Sequence, residues 1–161
     1  MDFEKSEKYI AAHREETIEH LGRFLLADTL LFWSDKAGLN AYQKKHWRPI
    51  LNDLNTVFKL DFKETISLIP AKNTNSEKKF VQLLNTLSDK ELTACFFAAS
   101  EMKSVLLGFL FAKHKIAEKD ALEAAYLEEL YQNRFWGEDI AAVNARKQSK
   151  QMLDKIAEYL A

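Results

Sequence analysis

The chain has 161 residues, 47% of them hydrophobic, enough for one domain with a substantial buried core. Its 23 Lys and Arg against 24 Asp and Glu leave a formal net charge of −1, a field that recommends neither a nucleic acid nor an anionic membrane as partner. The one cysteine, Cys95, lies in the run Ala94-Cys95-Phe96-Phe97-Ala98 with no basic neighbour, the setting of a buried inert thiol in a reducing compartment.

With only four glycines and two prolines, and apolar residues recurring at spacings of three and four, the sequence predicts a mainly α fold. A single compact multi-helix domain is expected over residues 1–161. The start, Met1-Asp2-Phe3-Glu4-Lys5, has neither the apolar stretch of a secretion signal nor the Arg-rich, acid-poor character of a transit peptide. A cytoplasmic chain is expected, or a mitochondrial matrix one that has already been processed.

A first helix is predicted over 4–26, with Ile10, Thr17, Leu21, Phe24 and Leu25 on one side and Glu15, Glu16 and Glu19 facing water. Glu16 and His20 share a face that His13 could join, but one acid and two histidines fall short of a carboxylate-bridged metal motif. Asp28-Thr29-Leu30-Leu31-Phe32-Trp33 breaks the pattern ahead of a second helix, 36–58, in which Pro49 predicts a kink or break near His46. Residues 60–69 alternate in a strand-like way through Leu60, Phe62, Ile66 and Leu68 and stop at Pro70, giving at most one short strand. After a polar loop at 72–76, Asn75 or Ser76 is expected to cap a short helix ending near Leu87.

Ser88 and Glu91 have capping-box spacing in front of an apolar window, 92–112. The window is long enough to cross a bilayer, but Glu101 and Lys103 near its centre cost roughly 2.5 to 3.5 kcal/mol each on insertion. It is therefore expected as a buried central helix, with no membrane insertion. A turn at 113–116 leads to a helix at 118–133, and Trp136-Gly137 separates it from a last helix, 139–160. There Met152, Leu153, Ile156, Tyr159 and Leu160 form an apolar stripe, and Arg146, Lys147 and Lys150 a solvated face.

No glycine-rich phosphate loop, nucleophile elbow or Cys/His cluster is present, so no cofactor, metal, small-molecule substrate or catalytic residue is expected. Trp33, Trp47 and Trp136 lie at element boundaries, as core anchors or as hot spots of a partner surface. Glu129 follows Ala125 by one helical turn and Leu122 by two, so a carboxylate interrupts an apolar stripe shared with Tyr126. It needs a partner, either a cation of its own chain or a donor of another protein. Glu128 projects beside the small-residue face of Ala121, Ala124 and Gln132, and Glu138 and Asp139 suit the start of the last helix, with Asp139 as its cap.

The stretch Leu127-Glu128-Glu129-Leu130-Tyr131-Gln132-Asn133-Arg134-Phe135-Trp136-Gly137 resembles the signature of a chaperone family of mitochondria and alphaproteobacteria, which binds the alpha subunit of the ATP synthase catalytic head. Asp28-Thr29-Leu30-Leu31-Phe32 is similar to the family's Asp-Thr-apolar stretch, and Lys103-Ser104 with its apolar run to the central helix. Gln43 through Trp47-Arg48-Pro49-Ile50-Leu51 resembles its Gln-x-x-x-Trp-Asp-Pro motif, with Arg48 in place of the usual Asp. Trp33-Ser34 and Leu130 also depart from the family, which has a Tyr-Arg region and a further acid there.

The resemblance covers the family's helical C-terminal part, without its beta-rich N-terminal domain, so a domain of a family member or a shortened member is expected. It implies a binding cycle and no reaction: the chaperone covers the hydrophobic face of a free alpha subunit until the beta subunit replaces it. Under it, Glu128, Glu129, Gln132, Trp136 and Glu138 are the partner-binding residues, led by Glu129, and Asp28, Trp47, Pro49, Gly137 and Asp139 are structural. Glu129→Lys is expected to abolish alpha binding without changing the melt. The alternative is a helical adaptor for a different client; an enzyme would need Asp28, His46 or Glu129 converging in a cleft.

Overall fold

The computed structural model describes residues 2–161, and among these it has nine α-helices and no strand. They are α1 (Phe3–Ala12), α2 (Arg14–Phe24), α3 (Ala37–Phe58), α4 (Thr74–Asn85) and α5 (Asp89–Met102), then α6 (Val105–Ala112), α7 (Glu118–Ala125), α8 (Leu127–Trp136) and α9 (Ile140–Leu160). Two single 3-10 turns, Leu25–Ala27 and Thr29–Leu31, link α2 to α3. The mainly α expectation holds, and among the described residues no helix is long and apolar enough to cross a membrane.

The centre is the pair α5 and α6, with α1 and α9 packed on α5. All eight residues of α6 are buried. A Cβ added at Gly108 would come 2.8 Å from the Ala99 nitrogen and 2.9 Å from the Cys95 oxygen, so the two backbones pack with no room for a side chain. The window 92–112 is thus two helices, not one. Lys103 takes a left-handed φ of 52° and Ser104 caps α6, its hydroxyl accepting from the Leu107 N–H at 3.0 Å.

The buried carboxylate of Asp28 stabilises that break, accepting from the Ser104 hydroxyl at 2.7 Å and from the Leu106 and Leu30 N–H groups at 3.0 Å each. Two segments distant in sequence, 28–30 and 104–106, meet at one side chain, a pairing no local pattern reveals. Burial pushes Asp28 up to about 6 despite these bonds.

The other departures also come from contacts distant in sequence. The first predicted helix breaks at His13, where φ is −122° and ψ 37°, and Arg14 turns to Asp89 at 2.7 Å and to backbone oxygens of Asn85 and Leu87. Helix 118–133 breaks at Tyr126, whose hydroxyl meets Ser149 of α9 at 2.7 Å. Pro49 causes no break: α3 continues through it, anchored by fully buried Trp47, Leu51 and Leu54, with the Trp47 indole N–H donating to the Ala124 oxygen at 2.9 Å.

In place of a strand at 60–69 there is one parallel bridge, Phe32 to Thr65, with Leu60 and Phe62 buried and Ile66, Leu68 and Ile69 exposed. Ser76 does not cap α4, because its hydroxyl accepts from the Asp61 N–H at 2.8 Å and the cap position falls to Asn73. The capping box is present: Ser88 accepts from the Glu91 N–H at 3.1 Å, and Glu91 from the Ser88 N–H at 3.0 Å.

Candidate functional site

The break at Tyr126 puts Glu128 and Glu129 in the first turn of α8, where acids complement the helix dipole. They form one side of a groove of about 740 Å3 with Gln132 of the same helix. Glu101, Met102 and Lys103 at the end of α5 also line it, as do Leu26, Thr29, Phe32 and Leu68. The predicted acidic pair therefore lies in a groove, not on a flat helix face.

The carboxylates differ in their support. Glu128 accepts from the Gln43 amide at 3.0 Å; Gln43 is fully buried and accepts in turn from the Ser34 N–H at 2.8 Å. Glu129 lies 3.2 Å from the guanidinium of Arg146, which also approaches Glu138 at 3.6 Å. Arg146 keeps only 14% of its side-chain surface exposed, which corrects its assignment to a solvated face. Its Nη1 has no aligned hydrogen-bond acceptor, so the attraction to Glu129 is mainly coulombic. The acid on the apolar stripe has its partner within the chain.

Beyond Gln132 the surface becomes apolar. Phe135, Trp136 and Ile140 are 64%, 87% and 79% exposed, clustered in sequence around Gly137. Gly137 has φ 77°, where a side chain would be strained, and so turns the chain between α8 and α9. Trp136 follows Gln132 by one turn and Glu129 by two, which places it on the groove-facing side of α8. It is no core anchor, unlike Trp33 and Trp47. Asp139 caps α9, accepting from the Ala142 N–H at 3.3 Å, while Glu138 is exposed beyond Arg146.

Arg48, the departure from the Trp-Asp-Pro pattern, stacks 4.5 Å from the Trp33 ring and forms a bidentate pair with Glu64. Partial burial raises the Glu64 pKa, but the guanidinium outweighs it and holds the carboxyl below its ordinary range. Asp28, His46 and Glu129 do not converge: Asp28 is buried in the core, His46 lines a cleft by α3 and α7, and Glu129 faces the groove. Among the described residues no three His, Cys, Asp or Glu are placed to hold a metal.

Sequence reasoning left Arg146, Ser149 and Glu101 outside the site. Ser149, 4% exposed, donates to Glu101 at 3.0 Å and meets the Tyr126 hydroxyl at 2.7 Å. Arg146 and Ser149 are three residues apart in α9, one face that supports two groove walls from behind. That spacing was visible, but its target was not.

This geometry defines a helical domain with a surface groove bordered by acids and exposed apolar side chains. The same fold occurs in the crystal structure of Atp12 from Paracoccus denitrificans, with a TM-score of 0.87 and 20% identity over 94% of this chain and 66% of that one. A mutant of the same protein gives 0.82 at 19% identity, over 94% and 65%. A protein of Agrobacterium tumefaciens described as a candidate chaperone gives 0.80 at 22%, over 94% and 57%. The chain thus spans under two thirds of the first of these in length, by a narrow margin, and at this identity the likeness establishes the fold. No family model matches the chain, and no curated protein matches its sequence.

Proposed function

We propose that the chain is an assembly chaperone of the ATP synthase catalytic head, binding the free alpha subunit and preventing its aggregation until the beta subunit replaces it. The observation that carries this reading is the groove beside Glu128 and Glu129, lined by Leu68 at 99% exposure, with Trp136, 87% exposed, one helical turn beyond Gln132 of its wall. Large exposed apolar side chains next to oriented acids suit the temporary cover of another protein's apolar interface. The fold shared with Atp12 and the four collinear motifs support the choice of client. The work done is binding, with no chemical step: the client's interface is covered reversibly, at an affinity the beta subunit can exceed.

Mixing the chain separately with purified alpha and beta subunits and following each by size-exclusion chromatography tests this. A soluble complex with alpha, and suppression of alpha light scattering on warming, is the expected result. Binding to beta alone, or to neither, overturns it in favour of a helical adaptor for a different client.

A further inference from the structure

Glu101 belongs to none of the sequence motifs, yet it is held on the groove wall from behind. Its carboxylate accepts from the Ser149 hydroxyl at 3.0 Å, and Ser149, 4% exposed, also contacts Tyr126 at 2.7 Å. On the α8 wall Glu128 is held at 3.0 Å by the fully buried Gln43. Serine and glutamine are neutral, so they orient these carboxylates without cancelling their charge. Among the described residues neither Glu101 nor Glu128 has a cationic partner, whereas Glu129 has Arg146. Lys103 is the one cation in the lining, and Leu26 and Leu68 supply apolar surface at 53% and 99% exposure.

The field of such a groove is complementary to a cation carried on an apolar segment. It disfavours nucleic acid and anionic lipid. A second copy of this chain docking groove to groove would set like charges against each other. We propose that the groove takes a segment of the alpha subunit presenting an arginine or lysine flanked by apolar side chains, with Glu101 and Glu128 binding the cation and Ser149 positioning Glu101. This rests on the client proposed above.

The test is calorimetric titration of the full chain with purified alpha subunit at two salt concentrations. Glu101→Gln keeps an acceptor for Ser149 but removes the charge, so binding weakens about tenfold and its salt dependence becomes shallower. Glu101→Lys weakens it more than a hundredfold. Ser149→Ala weakens binding severalfold with the salt dependence retained, and adds nothing on top of Glu101→Gln; a merely structural serine would add its effect. If Glu101→Gln fails to fold, Glu128→Gln, which keeps its Gln43 bond, carries the same expectation.

Wild-type affinity and salt dependence in the Gln variants overturn the assignment while leaving the chaperone reading intact. Absence of any wild-type complex with alpha overturns that reading first. A wild-type dimer in sedimentation equilibrium that Glu101→Gln dissociates assigns the groove to a second copy and also overturns it.

Discussion

Two apolar stretches of this chain have opposite fates. In α6 all eight residues are buried, whereas Phe135, Trp136 and Ile140 at the α8–α9 turn are 64%, 87% and 79% exposed. Hydrophobicity alone does not separate them. α6 has α5 to close against, with Gly108 removing the side chain that would hold the backbones apart. At the turn Phe135 meets only the edge of the Tyr131 ring among the described aromatic side chains, at 5.3 Å, and Trp136 stays 87% exposed. Burial follows from having a surface to pack against, and an apolar stretch without one is available to another molecule.

The largest effect should come from the buried side of this comparison. Gly108→Val drives methyl groups into the Ala99 and Cys95 backbone and should cost about 3 kcal/mol, or about 10 °C in Tm. A calorimetric melt within 2 °C of wild type would show that the close approach of α5 and α6 is dispensable.

Next is Asp28→Asn, whose amide cannot accept all the bonds the carboxylate accepts, at about 2 kcal/mol. The pH dependence sharpens this. Asp28 has its pKa raised from 3.8 to about 6, so the folded state holds the proton over a range where the unfolded chain has lost it. Its contribution is therefore greatest below pH 3.8 and is lost as pH rises through about 6, by about 3 kcal/mol in all. Urea unfolding from pH 4 to 7 should show that decline in the wild type, and its absence in Asp28→Asn.

A smaller effect is expected at the groove. Glu129→Lys brings an ammonium towards Arg146 and should cost about 1 kcal/mol in addition to weakening the proposed alpha binding, which revises the expectation of an unchanged melt. Unchanged urea unfolding would remove Arg146 from the account. The smallest stability effect belongs to Trp136→Ser, within about 0.5 kcal/mol, because an 87% exposed indole contributes little to the fold. In the proposed complex with the alpha subunit the same variant should weaken binding at least tenfold in calorimetric titration, the effect expected of an interface tryptophan. Equal binding would leave the exposed turn without a role in docking.

What was legible in the sequence was local. The Ser88–Glu91 capping box and the Asp139 cap are set by residues three apart, and both form as expected. The helix breaks at Lys103 and Tyr126 were not legible, since they are held by Asp28 and by Ser149, each distant in sequence. For the same reason Glu129 was recognisable as a carboxylate in need of a partner, while Arg146 passed for a surface cation until α9 folded back. Glu128, Glu129 and Gln132 come together in the groove, but Glu101 comes from α5, and helical spacing cannot relate it to them.

Cys95 gives the core a built-in clock. Its thiol is fully buried between close-packed helices, and burial pushes its pKa up to about 12, so it does not react while α5 and α6 stay together. A thiol reagent can label the chain only during excursions that part those helices. The labelling rate in native buffer therefore measures how often the core opens, and comparing free chain with client-bound chain tells whether occupying the groove slows that opening.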